Sequence, residues 1–231
     1  FCFICIYNKE NLSNKEGFPM KKYFSILCCS ILCMIFFTSC NEPKKNAADS
    51  IKAIYELYIL DDTEGITALG MAEEDINAAR KTYDESLRET IRAKFSASGQ
   101  EIEEAVLDEL CEARKEALSK MSATVEIISE AHGKATVVVH TTYFDEIGLD
   151  ADAFYDAREI AQQNTFPSVK EQQVFLMDIY SQNLIDAYQN VAPSEKTTDI
   201  TVECVVQDHT WVPANMSSFG SDLALAIAGR K

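Results

Sequence analysis

The sequence predicts an α+β fold in which an antiparallel sheet of about four strands packs against several helices. Two observations predict it. Through residues 49–121, apolar side chains recur every three or four positions, which is the period of an amphipathic helix. From residue 124 onward, β-branched runs and one strict alternation of apolar and polar residues indicate strands that are separated by further helices.

Three helices are predicted before the first strand. The first begins at Asp49 or Ser50, because either side chain can cap a helix. The second begins near Ala72 and carries acidic residues in its first turn, where the helix dipole favours them. The third is predicted to open with a capping box at residues 98–101, Ser-Gly-Gln-Glu. We interpret the apolar faces of all three as core.

Two hairpins are predicted in the second half. The predicted strands cover residues 124–128, 135–144, 197–207 and 210–212. His132-Gly133 and Asp208-His209 supply the turns, since these residue types tolerate the backbone of a tight turn. Helices are predicted at residues 150–163, 168–190 and 219–228. Residues 197–207 alternate cleanly, as expected for a strand with one covered face.

The first 40 residues have the layout of an export signal. Basic Lys21-Lys22 precedes the uncharged apolar run from Phe24 to Phe37, which is too short to span a membrane comfortably. Phe37-Thr38-Ser39-Cys40 then resembles a lipobox, with Phe37 standing where Leu is preferred. We expect a signal peptide at 20–39, a lipidated tether at 40–48 and a single domain at 49–231. An uncleaved anchor and ordinary signal cleavage are the alternatives.

Residues 1–19 are expected to be an upstream extension that is not translated. Lys15-Glu16-Gly17 can be encoded as AAG-GAG-GGN, which contains a ribosome-binding sequence. Met20 follows it at a suitable distance. We therefore expect translation to begin at Met20.

The net negative charge of the chain limits the binding partners that we expect. The chain carries a net charge of −16, and from Cys40 onward 17 basic side chains face 35 acidic ones. Such a surface repels phosphate backbones, so nucleic acid is not an expected partner. With no basic patch to hold anionic lipid, we expect the membrane to be contacted through lipid on Cys40.

Two cysteines follow Cys40. Cys111 falls in a predicted helix, and Cys204 falls on the apolar face of a predicted strand. Two buried free thiols are the favoured interpretation. A disulfide is the alternative in an exported protein, since pairing depends on a distance that the sequence does not give.

A family resemblance rests on four features. These are the lipobox cysteine, residues 58–62 (Tyr-Ile-Leu-Asp-Asp), and residues 69–74 (Leu-Gly-Met-Ala-Glu-Glu) ahead of a long helix, together with a late strand carrying Trp211. The chain resembles a family of bacterial lipoproteins of the Firmicutes type whose function is unknown, over roughly residues 47–228. The resemblance implies an extracytoplasmic protein that is lipid-anchored to the cell membrane, with a cystatin-like fold in which a curved sheet cradles a helix.

No sequence motif points to a catalytic, cofactor or metal site, and no cofactor is expected. His132, His140 and His209 lack the spacing of a helical metal pair. Five acidic residues near Gly148 depart from a calcium-loop pattern and are interpreted as a solvated helix start: Asp145, Glu146, Asp150, Asp152 and Asp156. The candidate pocket is His140, Tyr143 and Trp211, on the concave face of the sheet, while a place in the core is the favoured interpretation of Trp211 itself.

Two hypotheses for function follow. The favoured one is a non-enzymatic domain that binds a small ligand or an envelope protein. The alternative is an envelope hydrolase or isomerase whose pocket assembles only in three dimensions. A carboxylate or histidine with a strongly shifted pKa in a deep pocket would favour the enzyme, and an exposed apolar surface would favour the binding domain.

Overall fold

The computed structural model describes residues 45–230, which form two compact units. We call residues 45–86, 118–144 and 192–230 the sheet unit, and residues 87–117 and 145–191 the helical unit. The helices are α1 (Ala47–Tyr55), α2 (Glu64–Ala68), α3 (Glu73–Ala97), α4 (Glu104–Ser119), α5 (Glu146–Gln162), α6 (Val169–Asn190) and α7 (Met216–Ile227). The strands are β1 (Ala123–Ala131), β2 (Lys134–Thr142), β3 (Thr197–Gln207) and β4 (Thr210–Pro213).

The four described strands form one antiparallel sheet in the order β1-β2-β3-β4. Both hairpins turn through two residues with positive φ, 53° and 73° at His132 and Gly133, and 49° and 64° at Asp208 and His209. Two such residues in succession match the right-handed twist of the strands that they join. The predicted turns and the α+β class are confirmed.

One face of the sheet is buried. Along β2 and β3, alternate residues such as Val137, Val139 and Ile200 are fully buried, and their neighbours are more exposed. The α1 and α7 helices pack against the sheet. Tyr55 of α1 reaches the buried face, where its hydroxyl lies 2.9 Å from the Thr141 hydroxyl. This pair satisfies two polar groups inside the apolar core of the sheet unit.

The first helix begins earlier than its sequence signals predict. Asn46 is the N-cap, and its side-chain oxygen accepts a hydrogen bond from the Asp49 backbone N–H at 2.8 Å. The predicted cap at Asp49 or Ser50 is therefore wrong, because an Asn three residues earlier already fills that role. After Tyr55 the chain continues as a π-helix, Glu56–Leu60, which ends at Asp61 with φ of 56°.

The predicted capping box at residues 98–101 is also wrong. Gly99 has φ of 78°, and the Gln100 N–H bonds the Phe95 carbonyl at 3.3 Å. The Ser98 hydroxyl donates to the same carbonyl at 2.6 Å. These bonds form a Schellman-type end to α3, so the segment stops one helix and the next begins only at Glu104.

The helical unit has its own core. Leu87, Leu107 and Cys111 are buried together, with Ile91 and Ile102 packed against them. The α5 and α6 helices pack along each other. The predicted cap of α6 is confirmed, because the Ser168 hydroxyl accepts from the Glu171 N–H at 3.2 Å.

The predicted leader, the translation start and residues 40–44 of the predicted tether lie outside the described part, so these boundaries stay predictions. Residues 47 and 48, the last two of the predicted tether, lie in α1, which begins at Ala47. The cystatin-like interpretation also stays a prediction. Among residues 45–230, no helix is both long enough and apolar enough to cross a membrane.

Candidate functional site

The three residues of the predicted pocket lie in different places. His140 is on β2, on the side of the sheet opposite to Val139 and Thr141. Trp211 on β4 is paired with Val206 of β3, which lies two residues after buried Cys204 and so points to the same face. Trp211 is therefore on the core side of the sheet, where it is only 4% exposed. Because neighbouring strand residues point to opposite faces, His140 and Trp211 are separated by the sheet itself.

Tyr143 follows the end of β2 and belongs to neither face. Its carbonyl accepts from the Ser194 N–H at 2.6 Å. Its ring lies against Gly229, where an added Cβ would come within 2.9 Å of the ring carbon Cδ2. Tyr143 therefore packs on the chain end after α7. Trp211, in turn, is a core residue, which was its favoured interpretation.

His140 is flanked by two carboxylates on the open face of the sheet. Its Nδ1 lies 2.7 Å from Asp199 Oδ1, and its Nε2 lies 3.6 Å from Glu126 Oε2. The hydrogen bond to Asp199, with the charges of both carboxylates, raises the pKa of the imidazole. The imidazole ring of His140 on β2 thus links Glu126 on β1 with Asp199 on β3. It favours an imidazolium held between two anions.

A second cluster lies inside the helical unit. Arg114 Nε lies 2.7 Å from Glu146 Oε1, and the Tyr188 hydroxyl donates to the same oxygen at 2.9 Å. Burial opposes ionisation of Glu146, but the Arg114 charge and these hydrogen bonds outweigh it and lower the pKa of the carboxyl. Burial, with the Glu146 charge, raises the pKa of Tyr188 well above its ordinary value. The carboxylate is thus held ionised and the phenol neutral.

The same unit contains a third polar group. Lys94 pairs with Asp150, the Tyr180 hydroxyl donates to that carboxylate at 2.5 Å, and Lys94 Nζ lies 5.2 Å from the centre of the Tyr180 ring. The interpretation of the acidic residues near Gly148 as a solvated helix start is therefore wrong for Glu146 and Asp150. Both are partly buried partners of cations from α3 and α4, which a sequence pattern within one helix does not reveal.

The two cysteines are buried and free, as predicted. Burial raises the pKa of the Cys111 thiol and raises that of Cys204 to about 12. A thiol at such a pKa carries almost no thiolate near neutral pH, so neither side chain is activated as a nucleophile.

Exposed apolar residues lie on both sides of the loop that joins α5 and α6. Ile160, Val169 and Val174 are 40%, 70% and 43% exposed. Phe166 of the connecting loop packs on Phe175, with ring centres 5.2 Å apart. We call residues 160–175 the hairpin end. Sequence reasoning missed it, because it reads each apolar residue of a helix as a core residue.

Two structural facts concern ligands. Within the described residues, no group of three or more His, Cys, Asp or Glu side chains is placed to hold a metal ion. In the same part of the chain, every buried side-chain nitrogen or oxygen has a hydrogen-bond partner.

The fold and these sites define an α+β domain in which the described buried polar side chains are paired with hydrogen-bond or ionic partners. The chain belongs to the family described as a domain of unknown function (DUF5105), whose model matches residues 42–219. This confirms the predicted resemblance to a family without an assigned function. No curated protein matches.

The fold is similar to the crystal structure of a protein described as "a putative lipoprotein (ycdA)" from Bacillus subtilis, with a TM-score of 0.53 and 16% identity. The match covers 78% of this chain and 55% of that one. The chain therefore spans little more than half the length of this neighbour.

Proposed function

We propose that this chain is a lipid-anchored binding domain displayed outside the cytoplasmic membrane. The observation that carries the anchor is the uncharged run from Phe24 to Phe37 followed by Thr38-Ser39-Cys40. The description of the similar Bacillus subtilis structure supports the same proposal. Two acyl chains on Cys40 would suffice for stable anchoring, at about 0.8 kcal/mol per buried CH₂.

The anchor is tested by feeding cells an alkyne fatty acid and following the full-length precursor. We expect Cys40→Ala to lose the label and to keep its leader, as read by intact mass. Cys33→Ala, within the apolar run, is the matched control and should be labelled and cleaved normally. Wild-type protein found in the cytosol, unlabelled and with its leader intact, would overturn the anchor.

The binding role is supported by the hairpin end. Large exposed apolar patches often mark interaction sites, and Ile160, Val169 and Val174 are exposed on the two sides of one loop. The local charge is balanced, because Lys170 and Glu171 stand side by side in a chain of net charge −16. A partner can therefore approach this end without the repulsion that the rest of the surface creates.

A thermal-shift screen of residues 41–231 against envelope peptides, metabolites and divalent metals tests this role. A ligand raises stability by RT ln(1 + [L]/Kd), so a true ligand should raise Tm. We expect Val169→Glu to abolish the shift that the identified ligand causes. Gln173→Glu, at an exposed polar position of the same helix, should keep it. A ligand whose shift survives Val169→Glu would exclude the hairpin end as its site.

A further inference from the structure

One end of the sheet unit collects both hairpin turns and the start of α1. Because β2 and β3 are antiparallel with Lys134 opposite Val205, the His132-Gly133 and Asp208-His209 turns lie at the same end. The Ala47 N–H donates to Glu130 Oε2 at 3.1 Å, which places the beginning of α1 there as well. We call this region, from Ile127 to Lys134 with residues 45–47 and 207–210, the turn end.

The chain that leads to the proposed anchor leaves from the turn end. Lys45 is the first described residue, and Cys40 lies only five residues before it. An extended chain of that length spans at most about 18 Å. The β3 strand has 11 residues, so its first residue, Thr197, lies roughly 30 Å from the turn end. If the far end of the sheet faced the membrane, the turn end would lie farther from the membrane surface than the tether can reach. The far end is thus not the part of the sheet unit nearest the membrane.

The charge of the turn end permits close approach to a membrane. Lys45 and Lys134 balance Glu130 and Asp208, whereas the whole chain has a net charge of −16. An anionic leaflet repels an acidic surface, so the balanced end is the one that it repels least.

Apolar side chains are exposed at the same place. Ile127 and Ile128 are 36% and 58% exposed on β1, which is an edge strand of the four-stranded sheet. The pairing of β1 with β2 is interrupted between Ile127 and Ser129, which leaves Ile128 in a β-bulge without a partner residue on β2. A bulge protects an edge strand from pairing with another strand, and here it also presents an isoleucine outward.

We propose that the turn end is a bilayer-contact surface, with Ile127 and Ile128 entering the headgroup region beside the lipid anchor. The proposal rests on the lipid at Cys40 that the proposed function assigns. Two isoleucines bind a membrane weakly on their own. The anchor holds them at a high effective concentration near the surface, so a weak contact is enough to set the orientation of the sheet unit.

The test uses the full lipidated protein in vesicles of phosphatidylglycerol and phosphatidylethanolamine. An environment-sensitive fluorophore is attached to Ile128→Cys and, as the matched control, to Thr197→Cys at the exposed far end of β3. The native Cys111 and Cys204 are buried and react slowly. We expect quenching by nitroxide-labelled lipid to be about twofold or more stronger at 128, because interfacial elements sink roughly 5–10 Å into the boundary.

Equal quenching at both positions, or stronger quenching at 197, would overturn the bilayer contact. Energy transfer between labelled copies without lipid quenching would overturn it too, since a second copy would then cover β1. His132→Cys, at the exposed turn, gives a second label if Ile128→Cys does not fold. Failure of the anchor is distinguishable, because intact mass would then lack the acyl chains and the protein would not float with the vesicles.

Discussion

The sheet unit and the helical unit fill their interiors differently. The fully buried polar contact of the sheet unit is neutral, between Tyr55 and Thr141. In the helical unit, Arg114 and Glu146 form an ion pair whose side chains are only 17% and 22% exposed. A buried carboxylate needs a cation or several hydrogen-bond donors to offset its lost hydration, whereas two hydroxyls satisfy each other through one hydrogen bond. The two units therefore differ in the kind of polar group that they bury.

This difference predicts that the sheet unit depends most on apolar volume. Ile200→Ala should destabilise the protein by about 3–4 kcal/mol, because Ile200 is fully buried beside Val139 and a cavity would remain. Urea unfolding measures the free-energy change. Thr201→Ala, at the exposed next position, is the control and should change it by less than about 0.5 kcal/mol. Equal losses in the free energy of unfolding at both positions would contradict the dependence of the sheet unit on buried apolar volume.

The helical unit should depend instead on charge pairing. Glu146→Ala removes the carboxylate beside the partly buried Arg114 guanidinium and should cost about 2–3 kcal/mol in the free energy of unfolding. The double variant Arg114→Met with Glu146→Leu removes both charges and should recover most of that loss. If the double variant is no more stable than Glu146→Ala, volume rather than unpaired charge explains the cost.

The same pair predicts a dependence on pH. The pKa of Glu146 is lowered in the fold from its ordinary value of 4.5. Its contribution is therefore present above that ordinary value and is lost as pH falls through the lowered one. Wild-type stability should decline more steeply below pH 4.5 than that of the double variant. Parallel curves would show that Glu146 titrates alike in the folded and unfolded chains.

The neutral pair of the sheet unit, Tyr55 and Thr141, should contribute less to the free energy of unfolding. Tyr55→Phe removes one buried hydroxyl and should cost about 1 kcal/mol, since Thr141 still donates to the Thr142 carbonyl at 2.9 Å. Thr141→Val should cost less in the Tyr55→Phe background than in the wild type, because the bond between the two hydroxyls is already gone and only the bond to the Thr142 carbonyl is lost. A double-mutant cycle with no coupling energy would contradict that arrangement.

The smallest effect is expected on the open face of the sheet. The hydrogen bond to Asp199, with Glu126 nearby, raises the pKa of His140, so its contribution is complete below an ordinary pKa of 6.5 and disappears as pH rises through the raised value. His140→Gln should lower stability at pH 5 by less than about 1 kcal/mol and leave it unchanged at pH 9. An NMR titration of His140 should show a lower pKa in Asp199→Asn.

Elements whose signals are local could be predicted from the sequence. The two hairpins, the cap of α6 at Ser168 and the buried thiols follow from alternation, from residues that tolerate positive φ and from one capping side chain. The helix starts at Asn46 and Glu104 were missed, because several nearby residues can cap a helix and only the folded backbone selects one. Local signals also placed His140 and Trp211 in strands. They did not show that the two side chains lie on opposite faces of the sheet.

Contacts between residues that are distant in the sequence depend on the tertiary fold. Arg114 meets Glu146 across 32 positions, and His140 meets Asp199 across 59. No periodicity encodes such pairings, since they depend on how helices and strands align once apolar faces are buried. The exposure of Ile160, Val169 and Ile128 was decided in the same way. An apolar residue becomes a contact surface only when packing leaves it uncovered, and packing is a property of the whole fold.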